Sequence, residues 1–368
     1  MLSRRQIILG FTALTGGAMA YATGSAHQSK GRYNDAVRDT WRHTPNNSII
    51  DLDTVNRELV RYATLAASSH NTQCWKFAIA EHTISILPDW TRRCPAVDPD
   101  DHHLFVSLGC AAENLIHAAQ AFGKHGFAHF DTIDDRVKIT LEPSKIISSD
   151  LFNAIPQRQC SRVEYDGRKL STADLGSLEV AGQGNGVRIL LITEKAQIEN
   201  ILEYVVQGNT AQINDRAFVK ELKSWIRFSH DEVLRKRDGL FAGSSGNPIV
   251  PRWLGMRLLN LFFTTKSENA KYAKHIRSSA GIAVFVSERN DKEHWVETGR
   301  CYERFALQAT ALGIKNAFLN QPVEVLSLRQ QFATYLNIGD LSPDLVVRFG
   351  YGTETSRSLR RPVESVVL

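Results

Sequence analysis

Apolar residues along this chain alternate between a helical and a strand period, and the changes of period predict its elements. Across 52–67, Val55, Leu59, Val60, Ala63 and Ala66 recur three or four residues apart, an amphipathic helix that Asp51 or Asp53 is placed to cap. Residues 74–80 and 83–87 read as short strands, 104–123 as a long helix ended by Gly123, and 127–130 with 137–141 as two more strands. From about 151 a second unit begins. Its β-branched residues make 187–193 a buried strand, 196–228 reads as two helices, and 282–287, 294–313 and 345–351 follow as strand, helix and strand. The Gly/Ser/Pro-rich stretch 240–251 is a long loop of the kind that serves as a lid or binding loop. Residues 27–49 are polar, contain the breaker cluster Pro45-Asn46-Asn47-Ser48, and read as an arm or linker.

The two long helices resemble each other. Laid without a gap, 109–123 and 299–313 agree at five of fifteen positions: Gly109 with Gly299, Glu113 with Glu303, Ala119 with Ala309, Ala121 with Ala311 and Gly123 with Gly313. Small residues recurring along a helix let another backbone approach closely, so two related halves packed as a pseudo-dimer are expected. Any two Ala-rich helices score well in such a comparison, which is the plainer reading. With 368 residues, 43% hydrophobic, the chain is long enough for a large core and two domains.

The N-terminus changes the picture of where the protein works. Arg4-Arg5 opens a Gly/Ala-rich, weakly apolar run, and Ala18-Met19-Ala20 and Gly24-Ser25-Ala26 offer small-residue cleavage sites. That is the form of a secretory signal, and paired arginines resemble the twin-arginine export signal, which implies a periplasmic or extracytoplasmic protein. The apolar run, about 16 residues, is short of the roughly 20 that span a bilayer, so no stable membrane anchor is expected. The formal charge of +5 falls to +3 once Arg4 and Arg5 leave, and the remaining cations are scattered, which excludes a nucleic-acid reading. The five cysteines have no short repeated spacing, so buried free thiols are expected over a zinc site or disulfide framework.

Chemistry concentrates in three clusters. Ala67-Ser68-Ser69-His70-Asn71-Thr72-Gln73-Cys74-Trp75-Lys76-Phe77 joins helix to strand and crowds hydroxyl and amide side chains beside a Trp. Asn71 and Gln73 each present donor and acceptor together, which suits the edge of a pyrimidine-like ring; a polar turn over a buried Trp is the bland alternative. Arg158 and Arg162, four apart, fall on one face if that segment is helical, and guanidinium forks match phosphate oxygens. Arg357-Ser358-Leu359-Arg360-Arg361-Pro362 follows the strand exit Gly350-Tyr351-Gly352. Gly182-Gln183-Gly184-Asn185-Gly186 precedes a strand instead of joining strand to helix, so it reads as a turn and not a dinucleotide loop. His102 and His103 read as neighbours on extended chain that point apart, without a metal-ligand spacing.

On these residues the chain resembles the flavin-dependent nitroreductase superfamily, in particular its fused branch of Acg-like FMN-binding oxidoreductases. The superfamily signature A-[PS]-S-x-N-x-Q-P-W-x-F is matched by 67–77, with Cys74 in place of the Pro, its arginine motif by 158–162, its A-x-x-x-G-[LI] helix end by 309–314, and the terminal Gly-Tyr-Gly and Arg-Arg-Pro by the tail. The resemblance implies an α+β nitroreductase-like fold with an export signal over 1–26, a polar arm over 27–50, a first half over 51–150, and a second half over 151–368 with a lid-like insertion near 208–280. It further implies FMN held at its ring and ribityl groups by Ser68, Ser69, Asn71 and Gln73, walled by Trp75, passed by Phe318-Leu319-Asn320 near N5, and gripped at its phosphate by Arg158, Arg162 and one of Arg360 or Arg361. The same offset of 190 places 67–75 over 257–265, which keeps none of the Ser, Asn and Gln pattern, so one FMN per chain is expected. The reaction so implied is two-electron reduction of a small-molecule acceptor, a nitro compound, quinone or enone, with no side-chain nucleophile and the electron donor left open. A monomer or homodimer is expected. The competing expectation is a protein that sequesters FMN under its lid with little turnover.

Overall fold

A computed structural model describes residues 16–44 and 51–368. After helix α1 (Gly16–Thr40), the first half opens with α2 (Leu52–Thr64), whose cap is Asp51 accepting a hydrogen bond from the Thr54 amide. Strands β1 (Trp75–Ala80) and β2 (Thr83–Pro88) form an antiparallel hairpin. Helix α3 (His102–Ala121) follows, every residue of it buried except Gln120, which accounts for its Ala, Gly and Leu content. Strands β3 (Lys124–Asp131) and β4 (Arg136–Pro143) complete an antiparallel sheet of order β1-β2-β4-β3.

A short helix α4 (Asp150–Ala154) leads toward the second half, which starts with α5 (Thr172–Ala181) and β5 (Val187–Ile192). A long insertion then intervenes: α6 (Lys195–Asn214), α7 (Arg216–Trp225), β6 (Ile226–Arg227), α8 (His230–Lys236), β7 (Leu240–Phe241), α9 (Arg252–Phe262) and α10 (Thr265–Arg277). The half resumes with β8 (Gly281–Ser287), α11 (Lys292–Ala311), β9 (Lys315–Phe318), α12 (Gln321–Glu324), α13 (Leu326–Leu336) and β10 (Ser342–Gly350). Its sheet has the order β5-β8-β10-β9, also antiparallel throughout. Numbered within its own half, each sheet runs first-second-fourth-third around a central helix, so the fold is α+β with two halves of one topology.

The central helices α3 and α11 cross at their matching glycines. A Cβ on Gly109 would lie 1.9 Å from the carbonyl oxygen of Val296, and a Cβ on Gly299 would lie 1.9 Å from that of Val106. The four residues are related by the same offset of 190, so the contact is reciprocal, as at a two-fold axis. That offset does not extend to the loops. The insertion, residues 193–280, separates the first two strands of the second half, so the counterpart of 67–75 is the turn 182–186 between α5 and β5, and 257–265 lies inside the insertion.

Two further expectations differ from the structure. Residues 27–40 are helical and not an irregular arm. Tyr33 and Ala36, with Val37, pack on Val233, Phe241 and Leu359, while the rest of that stretch is largely exposed and therefore polar. Arg4-Arg5 and Pro45-Asn46-Asn47-Ser48 lie outside the described residues, and both expected cleavage sites fall on α1. His102 and His103 do not point apart: they open α3 with their rings stacked at 4.8 Å.

These histidines face a buried acidic group. His102 Nε2 is 3.1 Å from Asp344 Oδ1, and His103 Nδ1 lies 3.9 Å from Asp98 and 4.0 Å from Glu324. Burial pushes the Asp98 carboxyl up to about 6 and that of Glu324 up to about 7, and holds His103 well below its usual range. A raised carboxyl pKa favours the folded state below the unfolded value, near 4.5 for Glu324, and that contribution is lost as pH rises through about 7. Glu324→Gln, which can still accept from Gln212, is therefore expected to raise Tm by several degrees at pH 8 and by less at pH 5. Equal gains at the two pH values in thermal melts would contradict this.

Candidate functional site

The loop between α2 and β1 carries unusual backbone. His70, Asn71 and Gln73 have φ of 47°, 52° and 53°, a left-handed conformation that costs on the order of 1–3 kcal/mol per non-glycine residue and persists only when its surroundings enforce it. Here the enforcement comes from the insertion and the C-terminal tail. The Asn71 side-chain amide donates to the Gly239 carbonyl at 3.0 Å, and the Gly239 amide donates back to the Asn71 carbonyl at 3.0 Å. Gln73 donates through Nε2 to the Arg237 carbonyl (2.8 Å) and accepts at Oε1 from the Arg361 amide (2.7 Å). Asp238 pairs with both Arg92 and Arg227, fixing the 237–239 segment over the loop.

Beside this loop lies a cleft of about 60 Å³, lined by Ala67, Ser68 and Asn71, by Arg158, Gln159, Cys160 and Arg162, by Phe318, and by Arg357, Ser358 and Arg360; Trp41 and the insertion residues Leu240 and Ser244 complete its lining. Both halves, the insertion and the tail thus meet at one place. Four arginines line it, and the carboxylate engaged there is the buried Glu303, whose Oε1 is 2.9 Å from Arg158 Nε.

The arginines are held by different means. Arg158 donates to the Leu65 carbonyl at 2.9 Å, and Arg360 donates to the carbonyls of Thr64 (2.8 Å), Leu65 (3.2 Å) and Ala66 (3.1 Å). These carbonyls end α2, where the helix dipole favours cations. Arg357 is held by the carbonyls of Pro156 and Gln157. Arg162 makes no hydrogen bond or ion pair to any described residue. Burial, and then the like charge of Arg158, pushes the Arg360 pKa down, with Glu303 opposing. Burial, then the Arg162 cation, pushes His70 down to about 4, so that ring is neutral at pH 7. Asn71 Oδ1 and His70 Nδ1 are buried without a partner. An anion with donor groups would satisfy these features together.

The cleft gathers Ser68, Asn71, Arg158, Arg162 and Arg360, but not the other residues expected there. Gln73 is buried and spent on Arg237 and Arg361. Ser69 donates its amide to Ser107 Oγ, and Trp75 is buried in the core that the two halves share. Leu319 donates to the Val346 carbonyl and Asn320 accepts from the Val346 amide, so both brace β10, and Phe318 is the residue of that stretch that lines the cleft. Arg361 turns away to the Gln73 carbonyl, Asp89 and the Ser365 carbonyl. Arg158 and Arg162 share the cleft without a helix: the segment is irregular and is fixed by a single bridge from Cys160 to Asn316.

Trp41 and Arg357 were not read from sequence as site residues. The Trp41 indole donates to the Ser358 carbonyl at 3.0 Å, with the guanidinium carbons of Arg357 and Arg360 at 5.0 and 4.8 Å from its ring centre. Only the polar character of the stretch around it hid the Trp.

The counterpart position in the other half is packed shut. A Cβ on Gly184 would lie 2.3 Å from Glu297 Oε1 and 2.5 Å from Cys301 Sγ, and Glu113, the match of Glu303, is paired with Arg300 and Arg304.

No protein-family profile matches the chain. Two Mycobacterium tuberculosis proteins, from strains CDC 1551 / Oshkosh and ATCC 25618 / H37Rv, carry provisional names as NAD(P)H nitroreductases; each is 22% identical over 328 residues, 86% of this chain and 92% of its own length. Among solved structures, an FMN-dependent nitroreductase from Mycobacterium smegmatis in complex with NADPH matches at 14% identity and TM-score 0.37, covering 59% of this chain and 91% of its own. An iodotyrosine deiodinase bound to FMN and 3-iodo-L-tyrosine matches at 14% identity and TM-score 0.38, covering 57% of this chain and 94% of its own.

Proposed function

We propose that this chain is a nitroreductase-type flavoprotein of the fused Acg-like branch, which binds one FMN in the cleft between the α2–β1 loop and the arginine cluster. The observation that carries this reading is the convergence there of the unpaired Arg162 and the unpartnered Asn71 Oδ1 with three further arginines. Arg162, with the donors of Arg158 and Arg357 not already engaged, would hold the phosphate, and Asn71 with Ser68 would meet the polar edge of the ring. Arg360 would act at one remove, keeping the site positive while it closes α2. Bound FMN supplies two-electron transfer from a donor to an acceptor such as a nitro compound, quinone or enone. The protein's part is to orient the cofactor, exclude water and stabilise negative charge.

The cleft's 60 Å³ is smaller than the few hundred cubic ångströms of a ligand pocket, so entry of FMN requires Trp41, Leu240 and Ser244 to move aside. That tightness favours a second reading, FMN sequestration with little turnover, because the 237–239 segment is tied down at Asn71, Gln73 and Asp238. Anaerobic titration of the flavin-loaded protein separates the two: bleaching of the visible bands by NADH or NADPH supports the reductase, whereas bleaching by dithionite alone supports sequestration. Trp41→Ala is expected to speed FMN uptake in stopped-flow fluorescence about tenfold, and an unchanged rate would mean that Trp41 does not obstruct entry. An export signal fits a flavoprotein loaded before transport, whose electron source then lies outside the cytoplasm.

A further inference from the structure

We propose that α9, with the groove between it and α7, docks this protein onto the surface of an anionic phospholipid bilayer. The fold leaves α9 largely unburied. Of the eleven residues of α9, only Gly255 is buried, although the helix contains Trp253, Leu254, Met256, Leu258, Leu259, Leu261 and Phe262. Trp253, Leu261 and Phe262 are 62%, 68% and 46% exposed, large apolar side chains that water solvates poorly.

The helix is nonetheless fixed in place. A Cβ on Gly255 would lie 2.3 Å from the Phe228 ring, so the glycine lets the helix rest on that side chain. Arg252 anchors its start, donating to Glu232 (3.0 Å) and to the carbonyls of Ile226 (3.1 Å) and Lys223 (3.4 Å). The exposed face is therefore a built surface held toward solvent.

Its charge selects the occupant. From Val250 to Ser267 the sequence has no acidic residue and has the cations Arg252, Arg257 and Lys266. Beside α9 a groove of about 610 Å³ is lined by Arg216, Lys220 and Lys223 of α7 together with Ile213, Val219 and Met256. Among the described residues Arg216, Lys220, Lys223, Arg257 and Lys266 form no ion pair, and the Arg257 guanidinium carbon lies 5.6 Å from the ring centre of Trp253. Exposed Trp and Leu on a short helix, beside Lys and Arg that no carboxylate neutralises, is the arrangement of a helix lying in a membrane interface, with the cations at the lipid phosphates. A second copy meeting this face symmetrically would set cations against cations, which disfavours a dimer. No described helix is long and apolar enough to cross a membrane, so the contact is in-plane.

The test is flotation of the full chain with vesicles of phosphatidylglycerol or phosphatidylcholine, at low and high salt. The proposal expects binding to phosphatidylglycerol at least tenfold stronger than to phosphatidylcholine, weakening as salt rises. Trp253→Ser with Leu261→Ser, and separately Lys220→Glu with Lys223→Glu, should each reduce binding at least tenfold while Tm stays unchanged. Binding that these variants leave intact would place the contact elsewhere in the chain and overturn the proposal. Absence of vesicle binding would overturn it too: a dimer abolished by Trp253→Ser would assign the face to a second copy, and a monomer would leave it to an acidic protein.

Discussion

Replacing Arg162 with alanine is expected to weaken FMN binding by roughly ten- to a hundredfold and to leave Tm unchanged. The expected magnitude follows from the loss of hydrogen bonds to a charged phosphate, about 1.5–3 kcal/mol, at 1.4 kcal/mol per tenfold. The unchanged stability follows from the structure, because Arg162 lines the cleft and holds no other part of the protein. Arg360 is the informative contrast. Its guanidinium binds three carbonyls at the end of α2, so Arg360→Ala leaves those groups unsatisfied and should lower stability along with FMN binding. Arg162→Lys keeps the charge but loses the fork, and should fall between wild type and alanine. Fluorescence titration with FMN, paired with thermal melts, reads both quantities. Equal affinities of wild type and Arg162→Ala would mean that the phosphate does not sit at this arginine.

The second large effect concerns the crossing of the central helices. Gly109→Ala and Gly299→Ala are each expected to destabilise the protein by about 3 kcal/mol or more, by similar amounts. In both cases the new methyl would stand 1.9 Å from a backbone carbonyl oxygen of the facing helix, which cannot rotate aside as a side chain would. The helices must separate, and faces that are buried along most of α3 and much of α11 lose contact. Gly176→Ala in α5 is the control: nothing lies within 4 Å of its added methyl, so it should gain up to about 1 kcal/mol in helix propensity. Chemical denaturation of the three variants measures this directly. If Gly109→Ala and Gly299→Ala behaved like Gly176→Ala, the reciprocal crossing would be wrong.

What the sequence made legible, and what it hid, follows from where the information lies. α3 and α11 could be read because α3 is buried nearly all round and α11 along the side it turns to α3, and that burial imposes the apolar positions and the paired glycines. The 67–77 loop stood out because polar residues crowded between a helix and a strand need a reason to be there. α1 escaped because it docks through few residues and its remaining surface is polar. The register of the second half misled beyond the helices, since the insertion after β5 breaks the constant offset. Within the cleft, the choice between Arg360 and Arg361 depends on which way each side chain leaves an extended tail. Trp41 reaches the site from more than a hundred residues before Arg158, a contact that no local pattern encodes.

The most direct test of the central claim is the FMN content of the purified chain after reconstitution, measured as flavin released per polypeptide. One FMN per chain is expected, because the α2–β1 loop and the arginine cluster form a single cleft while the position beside Gly184 is packed by Glu297 and Cys301. A colourless protein that takes up no FMN, or one that binds two, would contradict it.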